Sequence, residues 1–369
     1  MLHHNDISQV LKSDAASWSR EQLASLLRLE DAASIEMVRA AAEQTLLDHC
    51  GSAVYYRGLI EFSNHCALNC YYCGIRRDTP GIMRYQLDKG EIVDAALWCA
   101  QSGYGSMVLQ SGERSDEPFV DFVEDAVRTI KQQTISERLP RGLGITLCVG
   151  EQSPAVYQRF FDAGAHRYLL RIETTNPELF ARIHPPRQTL QKRMACLHSL
   201  QEIGYQVGTG VMIGLPGQSA EMLADDLLFF KSFDLDMVGM GPYLVHDATP
   251  MASWDQPLPS TEQRLRLGLL MIALTRLVLK DVNIAATTAL QTIHPTGREL
   301  GLQYGANVIM PQLTPLDYRS AYQLYEGKPC MDEDKSECRS CLQRRVESVG
   351  RTVAFDVWGD SKHFSRRNQ

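Results

Sequence analysis

Apolar residues recur along the chain in two alternating rhythms. Eight short runs read as buried strands. They are RGLIEFS (57–63), SMVLQ (106–110), LGITLCV (143–149) and HRYLLRI (166–172), then QVGTGVMI (206–213), DMVGMG (236–241), VNIAAT (282–287) and ANVIM (306–310). Between them lie stretches with helical spacing: 91–102, 118–133, 191–203, 220–232 and 261–280. Gly103, Gly164, Gly204 and Gly305 sit where helix ends call for a left-handed cap. Eight β-then-α units over about 250 residues predict an α/β fold of the (β/α)8 barrel type. The competing architecture is a doubly wound open sheet. Polar residues gather just after almost every strand, where barrels of this kind build their sites, and this favours the barrel.

Residues 1–50 read as an N-terminal helical segment, with Ser19 and Gln22 spaced as a capping box ahead of Leu23, Leu26 and Leu27. The barrel is expected over 51–315. Residues 316–369 are expected as a C-terminal extension packed on it. The most apolar helix, LRLGLLMIALTRLVLK (265–280), is interrupted by arginines and reads as buried rather than membrane-spanning. The first residues lack an apolar signal region, so a cytoplasmic location is expected.

The chain is 44% hydrophobic and 22% charged, enough for a sizeable core. A net charge of -7 argues against a general nucleic-acid binder, so any anion site must come from local arginines. Six of the ten cysteines fall in two tight groups, Cys66/Cys70/Cys73 and Cys330/Cys338/Cys341, which points to metal or redox use. Cys50, Cys99, Cys148 and Cys196 stand singly in apolar segments and read as small buried hydrophobes.

The first group, spaced C-x3-C-x2-C, follows the first expected strand. Tetrahedral zinc needs four protein ligands, or three and a water. A cubane iron–sulfur cluster takes one thiolate per iron. Three thiols therefore leave one position open, and open positions belong to catalysis. A zinc knuckle or inert thiols are the alternatives. Further along, Arg167, Arg171 and Glu173 alternate and so share one face of the fourth strand. They read as an anion-binding cavity or as an internal salt bridge. Thr287 and Thr288 end the seventh strand, where hydroxyls can bind a polar substrate or merely follow strand propensity.

The loop CALNCYYC (66–73), with aromatic Tyr72 before its last cysteine, resembles the radical S-adenosylmethionine (SAM) superfamily. The resemblance implies a [4Fe-4S] cluster on Cys66, Cys70 and Cys73, with the SAM amino and carboxylate groups on the fourth iron. It implies SAM contacts from Tyr72, Gly112, Glu113, Glu173 and Arg193, and an adenine flanked by Met212 and Met237. The family's Gly-Gly-Glu motif has Ser111 at its first position here.

A longer set of segments is more specific: VLQSGE, RYLLRIETTNP, GLPGQ, DMVGMGP, ATTA, GANVIMP and YQLYEGK. Together they resemble HydE, the [FeFe]-hydrogenase maturase family, over residues 50–345. That resemblance implies action on a small cysteine-ligated Fe(CO)2(CN) unit, with Arg57, Gln110, Thr146, Arg167, Arg171, Thr287, Thr288 and Tyr322 lining its cavity. It implies work beside a partner radical SAM maturase and a GTPase scaffold, with ferredoxin or flavodoxin as electron donor. The alternative is a methylornithine synthase-like or biotin synthase-like enzyme acting on a small amino-acid substrate. Cys330, Cys338 and Cys341 match a variable second cluster site of the family. A second iron–sulfur cluster, zinc or no metal are all open there.

Overall fold

A computed structural model describes residues 4–368, so residues 1–3 of the N-terminal segment and Gln369 lie outside the described residues. Among the described residues there are eleven strands: β1 (Ala53–Ser63), β2 (Ser106–Ser111), β3 (Gly144–Cys148), β4 (Ala165–Leu169), β5 (Gln206–Thr209), β6 (Met212–Ile213), β7 (Met237–Val238), β8 (Gly241–Pro242), β9 (Asn283–Ile284), β10 (Val308–Ile309) and β11 (Thr352–Ala354). Eight of them run parallel in the order β10-β1-β2-β3-β4-β5-β7-β9. A parallel bridge between Ala285 and Val308 joins the two ends, so the expected barrel closes.

Two expected strands are split. Runs 206–213 and 236–241 each break at a glycine, giving β5 then β6 and β7 then β8. The reason is a close backbone approach: a Cβ on Gly210 would sit 1.9 Å from the Gly239 carbonyl oxygen. Helix starts also move. The helix expected from residue 91 begins at Lys89, because Asp88 caps it and Glu91 returns the bond to the Asp88 amide. Ser19 and Gln22 do form their capping box.

The apolar helix Thr261–Leu279 buries every side chain from Gly268 to Leu279. Its Arg276 is fully buried and donates to the carbonyls of Gly305 and Lys280 at 2.9 and 2.6 Å. That is how a charge is kept inside an apolar helix. Among the described residues no helix is long and apolar enough to cross a membrane.

The C-terminal residues close the barrel at the N-terminal ends of its strands. β11 pairs with the start of β1. Residues 358–361 then cross the opening. The Gly359 carbonyl accepts from Arg57 Nη2 at 3.1 Å and Asn283 Nδ2 at 2.9 Å. Asp360 Oδ1 lies 2.7 Å from Arg167 Nη1 and 3.1 Å from His166 Nε2. Trp358 donates to the Gly142 carbonyl at 2.7 Å and is flanked by Lys131 and Arg141. Beyond it, the helix Lys362–Arg367 docks against Asp234, Asp236 and Asp281.

Candidate active site

The cysteine loop leaves β1 at Asn64 and is folded back by two side chains. Asn64 Nδ2 donates to the carbonyls of Met83 and Ala321, both at 2.7 Å. Arg84 spreads its guanidinium over the carbonyls of Asn64, Ile75, Arg76 and Arg77. These bonds satisfy loop carbonyls that no strand partner reaches. The result is a compact turn with three half-buried sulfurs, Cys66, Cys70 and Cys73. Cys66 Sγ accepts from the Leu68 amide at 3.4 Å, and Cys70 Sγ donates to Gln188 Oε1 at 3.3 Å.

Burial, and then the neighbouring thiols, pushes Cys70 up to about 12 and Cys73 well above the usual thiol range. A cationic centre reverses that cost, because metal-bound sulfur is deprotonated. Tetrahedral zinc sets its sulfurs about 3.8 Å apart. Among the described residues these three donors do not all close to within 4.8 Å of one another. The opening suits a cluster better than a single ion.

Facing the loop are three acids and three bases. Gly112 is required here: a Cβ would meet the His65 carbonyl oxygen at 2.4 Å and Cys66 Cβ at 2.8 Å. Glu113 lies in the space left by Gly150 and accepts from the Glu151 amide at 2.9 Å. Burial pushes its carboxyl up to about 7. Glu173 is buried at a positive φ of 64°. Strained backbone of this kind clusters at functional sites. Its Oε2 stands 3.1 Å from Arg171 Nη2 but is misaligned for a hydrogen bond.

Arg193, a surface arginine on helical periodicity alone, is only 6% exposed. It pairs with Glu151 at 2.7 Å and donates to the Arg171 carbonyl. Lys192 holds the other Glu151 oxygen at 3.0 Å. Arg171 Nε, Glu173 Oε2 and Gln188 Nε2 are buried without hydrogen-bond partners. An α-amino-acid group carries one ammonium and one carboxylate. Acids set against arginines, with spare donors and an acceptor, fit such a zwitterion.

Tyr72 hydrogen-bonds His184 Nε2 at 3.2 Å. With Tyr71 it packs on an apolar cluster of Leu179, Ile183, Met212, Leu215, Tyr243 and Met251. Met237 does not join it. Its sulfur lies 2.7 Å from Arg57 Nη1, deep in the barrel, because β7 starts at Met237 while Met212 belongs to the upper β6. The expectation that the two methionines flank one ligand is corrected.

The eight expected cavity residues divide into two groups. Gln110, Arg171, Thr287, Thr288 and Tyr322 stand at the strand ends near the cysteine loop. Gln110 Nε2 is 3.3 Å from the Tyr322 hydroxyl, and the Thr287 hydroxyl has no partner. Arg57, Thr146 and Arg167 sit at the opposite end. Arg167 Nε donates to Thr146 Oγ1 at 3.1 Å, and both arginines bind the C-terminal segment. Arg167 and Arg171 do share a face, but four residues of strand put them about 13 Å apart.

Four residues of the upper site escaped the pattern reading: Cys148, Glu151, Glu61 and Lys328. Cys148 ends β3 beside Arg171, Glu173 and Arg193, and burial pushes its thiol up to about 12. Its place at the C-terminal end of a barrel strand was the available signal. The other three are ordinary charged residues whose partners lie 42 and 267 positions away.

A sequence model of the radical SAM superfamily matches residues 60–230. The chain is 42% identical over 353 residues to the [FeFe] hydrogenase maturase subunit HydE of Thermotoga maritima, covering 95% of this chain and 96% of that protein. The chain belongs to the HydE family of radical SAM proteins. Within that superfamily it is 26% identical to a 3-methylornithine synthase of Methanosarcina barkeri, over 89% of this chain and 88% of that one. The crystal structure of methylornithine synthase (PylB) superposes with a TM-score of 0.77 at 22% identity, covering 95% of this chain and 98% of that one. The barrel is therefore shared well beyond HydE. Family membership implies a [4Fe-4S] cluster and SAM, and the three-thiol loop beside acids and arginines that fit a zwitterion is compatible with both.

Proposed function

We propose that the chain cleaves SAM reductively and acts on a small cysteine-ligated Fe(CO)2(CN) unit on the way to the diiron subcluster of an [FeFe]-hydrogenase. The observation that carries this reading is near full-length identity to a HydE, at 42%. When bound, a [4Fe-4S] cluster on these thiols would supply the electron for reductive cleavage of SAM to methionine and a 5′-deoxyadenosyl radical.

The protein's own part is positional. Cys66, Cys70 and Cys73 would hold the cluster. Glu113 and Glu173 receive the SAM ammonium, and Arg193, already fixed by Glu151, faces its carboxylate. Tyr72 and Met212 offer the base an apolar seat. Below them Gln110, Cys148, Arg171 and Thr287 receive the substrate, with Arg171 as the planar fork for its cysteine carboxylate. The buried mouth keeps water from a radical that attacks most C–H bonds.

The upper site is the reactive end in this reading, with Arg57, Thr146 and Arg167 a secondary cationic end of the same lumen. A partner radical SAM maturase supplies the substrate, a GTPase scaffold takes the product, and ferredoxin or flavodoxin gives the electron. The test is anaerobic reconstitution with iron and sulfide, then dithionite and SAM, followed by a maturation assay with the partner maturases. Formation of 5′-deoxyadenosine together with active hydrogenase is expected. Absence of 5′-deoxyadenosine overturns the radical chemistry. Its formation without maturation points to an amino-acid substrate, as for the methylornithine synthase relative.

A further inference from the structure

Beside the cysteine loop the surface is hollowed into a cavity of about 380 Å³. Cys66 stands in its wall, with His65 and Ala67 exposed on either side. Arg77, Arg84, Arg114 and Asp116 make up the rest of the lining. Glu113, Glu173 and Arg193 are not part of it, so the hollow is a face of the loop distinct from the SAM side.

Three arginines against one aspartate make the lining net positive, on a chain whose total charge is -7. Arg77 pairs with Asp78 at 2.9 Å and Arg114 with Asp116 at 2.8 Å, both near solvent. Exposed pairs of that kind hold weakly and can exchange partners. Arg84 pairs with no acid among the described residues, because its donors go to four loop carbonyls. Those bonds use its hydrogens and leave its charge uncancelled. The charges of Arg77 and Arg84 both reach the Cys66 sulfur. On an acidic chain, a positive hollow attracts a negatively charged partner and orients it, while the rest of the surface repels it.

We propose that this hollow is the docking site of a small acidic iron–sulfur electron carrier, whose surface carboxylates engage Arg77 and Arg114 and bring its redox centre beside Cys66. The lining holds no Phe, Tyr or Trp on which a flavin ring could stack, whereas arginine forks match carboxylates. The reduced carrier is oxidised by one electron, which is received at the three thiols' cluster, and no covalent bond is made or broken. Redox encounters of this kind are small and transient, so their affinity rests on charge and falls with salt. The inference rests on the radical SAM reading above and adds the partner and the face it uses.

The reconstituted chain is titrated calorimetrically with an oxidised two-cluster ferredoxin at low and at high salt. Formation of 5′-deoxyadenosine is then followed with reduced ferredoxin in one arm and dithionite in the other. Wild type is expected to bind the ferredoxin at low salt and to lose roughly tenfold in affinity at high salt. R77E/R114E binds roughly tenfold more weakly at low salt, and its ferredoxin-driven rate falls in step. Its iron content and dithionite-driven rate match wild type. R114E, outside the cysteine loop, shows part of the same loss, and R77K/R114K binds as wild type does. R128E reverses an exposed charge on the helix Glu117–Gln133, outside the lining, and leaves binding unchanged. No binding, salt-insensitive binding, wild-type binding by R114E and R77E/R114E, or an equal loss in R128E overturns the proposal. So does tight binding of a flavodoxin but not of the ferredoxin. Absence of 5′-deoxyadenosine with dithionite in wild type overturns the radical reading instead, and the calorimetry still decides the docking surface. If R77E/R114E loads less iron, R114E and the salt dependence of wild type decide.

Discussion

Lys328 Nζ stands 2.5 and 2.7 Å from the two carboxylate oxygens of Glu61, with both side chains buried at the barrel mouth. Gln312 donates a further bond to Glu61 at 2.7 Å. The pair ties the loop after the eighth barrel strand to the first strand. Replacing one member leaves an uncompensated buried charge, so K328M is expected to destabilise the chain by about 3–5 kcal/mol. The double variant E61Q/K328M removes both charges and recovers most of that loss. Urea denaturation of the three proteins checks it, and equal stability of K328M and wild type would refute the ion-pair argument.

Asp226 gives a pH dependence of known sign. It is fully buried in the helix Ala220–Ser232 and accepts from the Thr175 amide and hydroxyl at 2.7 and 2.6 Å, while its Oδ2 has no partner. Burial raises its carboxyl to about 7, against an ordinary 3.8. The folded chain therefore holds a proton that the unfolded chain releases. Its contribution to stability is complete below pH 3.8 and falls as pH rises through about 7. D226N keeps the acceptor and removes the charge. It is expected to be more stable than wild type at pH 8.5 by on the order of 3 kcal/mol, with the gap closing toward pH 5.

The C-terminal closure carries a switch of the same sign, built on a charged form rather than a neutral one. His363 lies between Asp234 and Asp281, at 2.6 and 3.0 Å, with Arg366 and Arg367 beside it. The bond to Asp281 leads in raising the His363 pKa above 6.5, with Asp234 adding to it. Its stabilisation is present below the unfolded value and is lost as pH rises through the folded one. With the intrinsic pH dependence of amide exchange divided out, protection over residues 352–361 is expected to fall in wild type as pH rises above 6.5. H363Q should exchange quickly at every pH, and a flat wild-type profile would count against the latch.

The proposed carboxylate clamp at Arg171 can be tested apart from cluster assembly. It stands 3.1 Å from Glu173 at the cavity wall and lies outside the cysteine loop. R171K keeps the charge and loses the planar fork. Reconstituted R171K is expected to keep the iron content and visible spectrum of wild type while maturing hydrogenase at least tenfold more slowly. Normal maturation by R171K would remove its carboxylate-clamp role.

Much of the site was legible because it is local. Cys66, Cys70 and Cys73 lie within eight residues, and a turn that short keeps its sulfurs together in almost any fold. Glu113 and Glu173 were legible as polar residues just past strand ends. Arg193 was not legible as a buried residue. Its helix position suits an exposed side chain, and Glu151 and the Arg171 carbonyl, 42 and 22 residues away, draw it inward. The two methionines failed for a related reason. Each lies on a barrel strand, but strand periodicity carries no height, and Met237 sits low beside Arg57 while Met212 sits high.

By itself the sequence determined the alternation of strands and helices, the helix caps and the three-thiol loop, because each depends on residues a few positions apart. Only the tertiary structure decided which end of the lumen each arginine occupies, because that depends on where 358–361 dock. It also decided that Glu333 meets Cys330 and Cys338 where Cys341 does not. Side-chain neighbours are set by directions in three dimensions, and cysteine spacing records only distance along the chain.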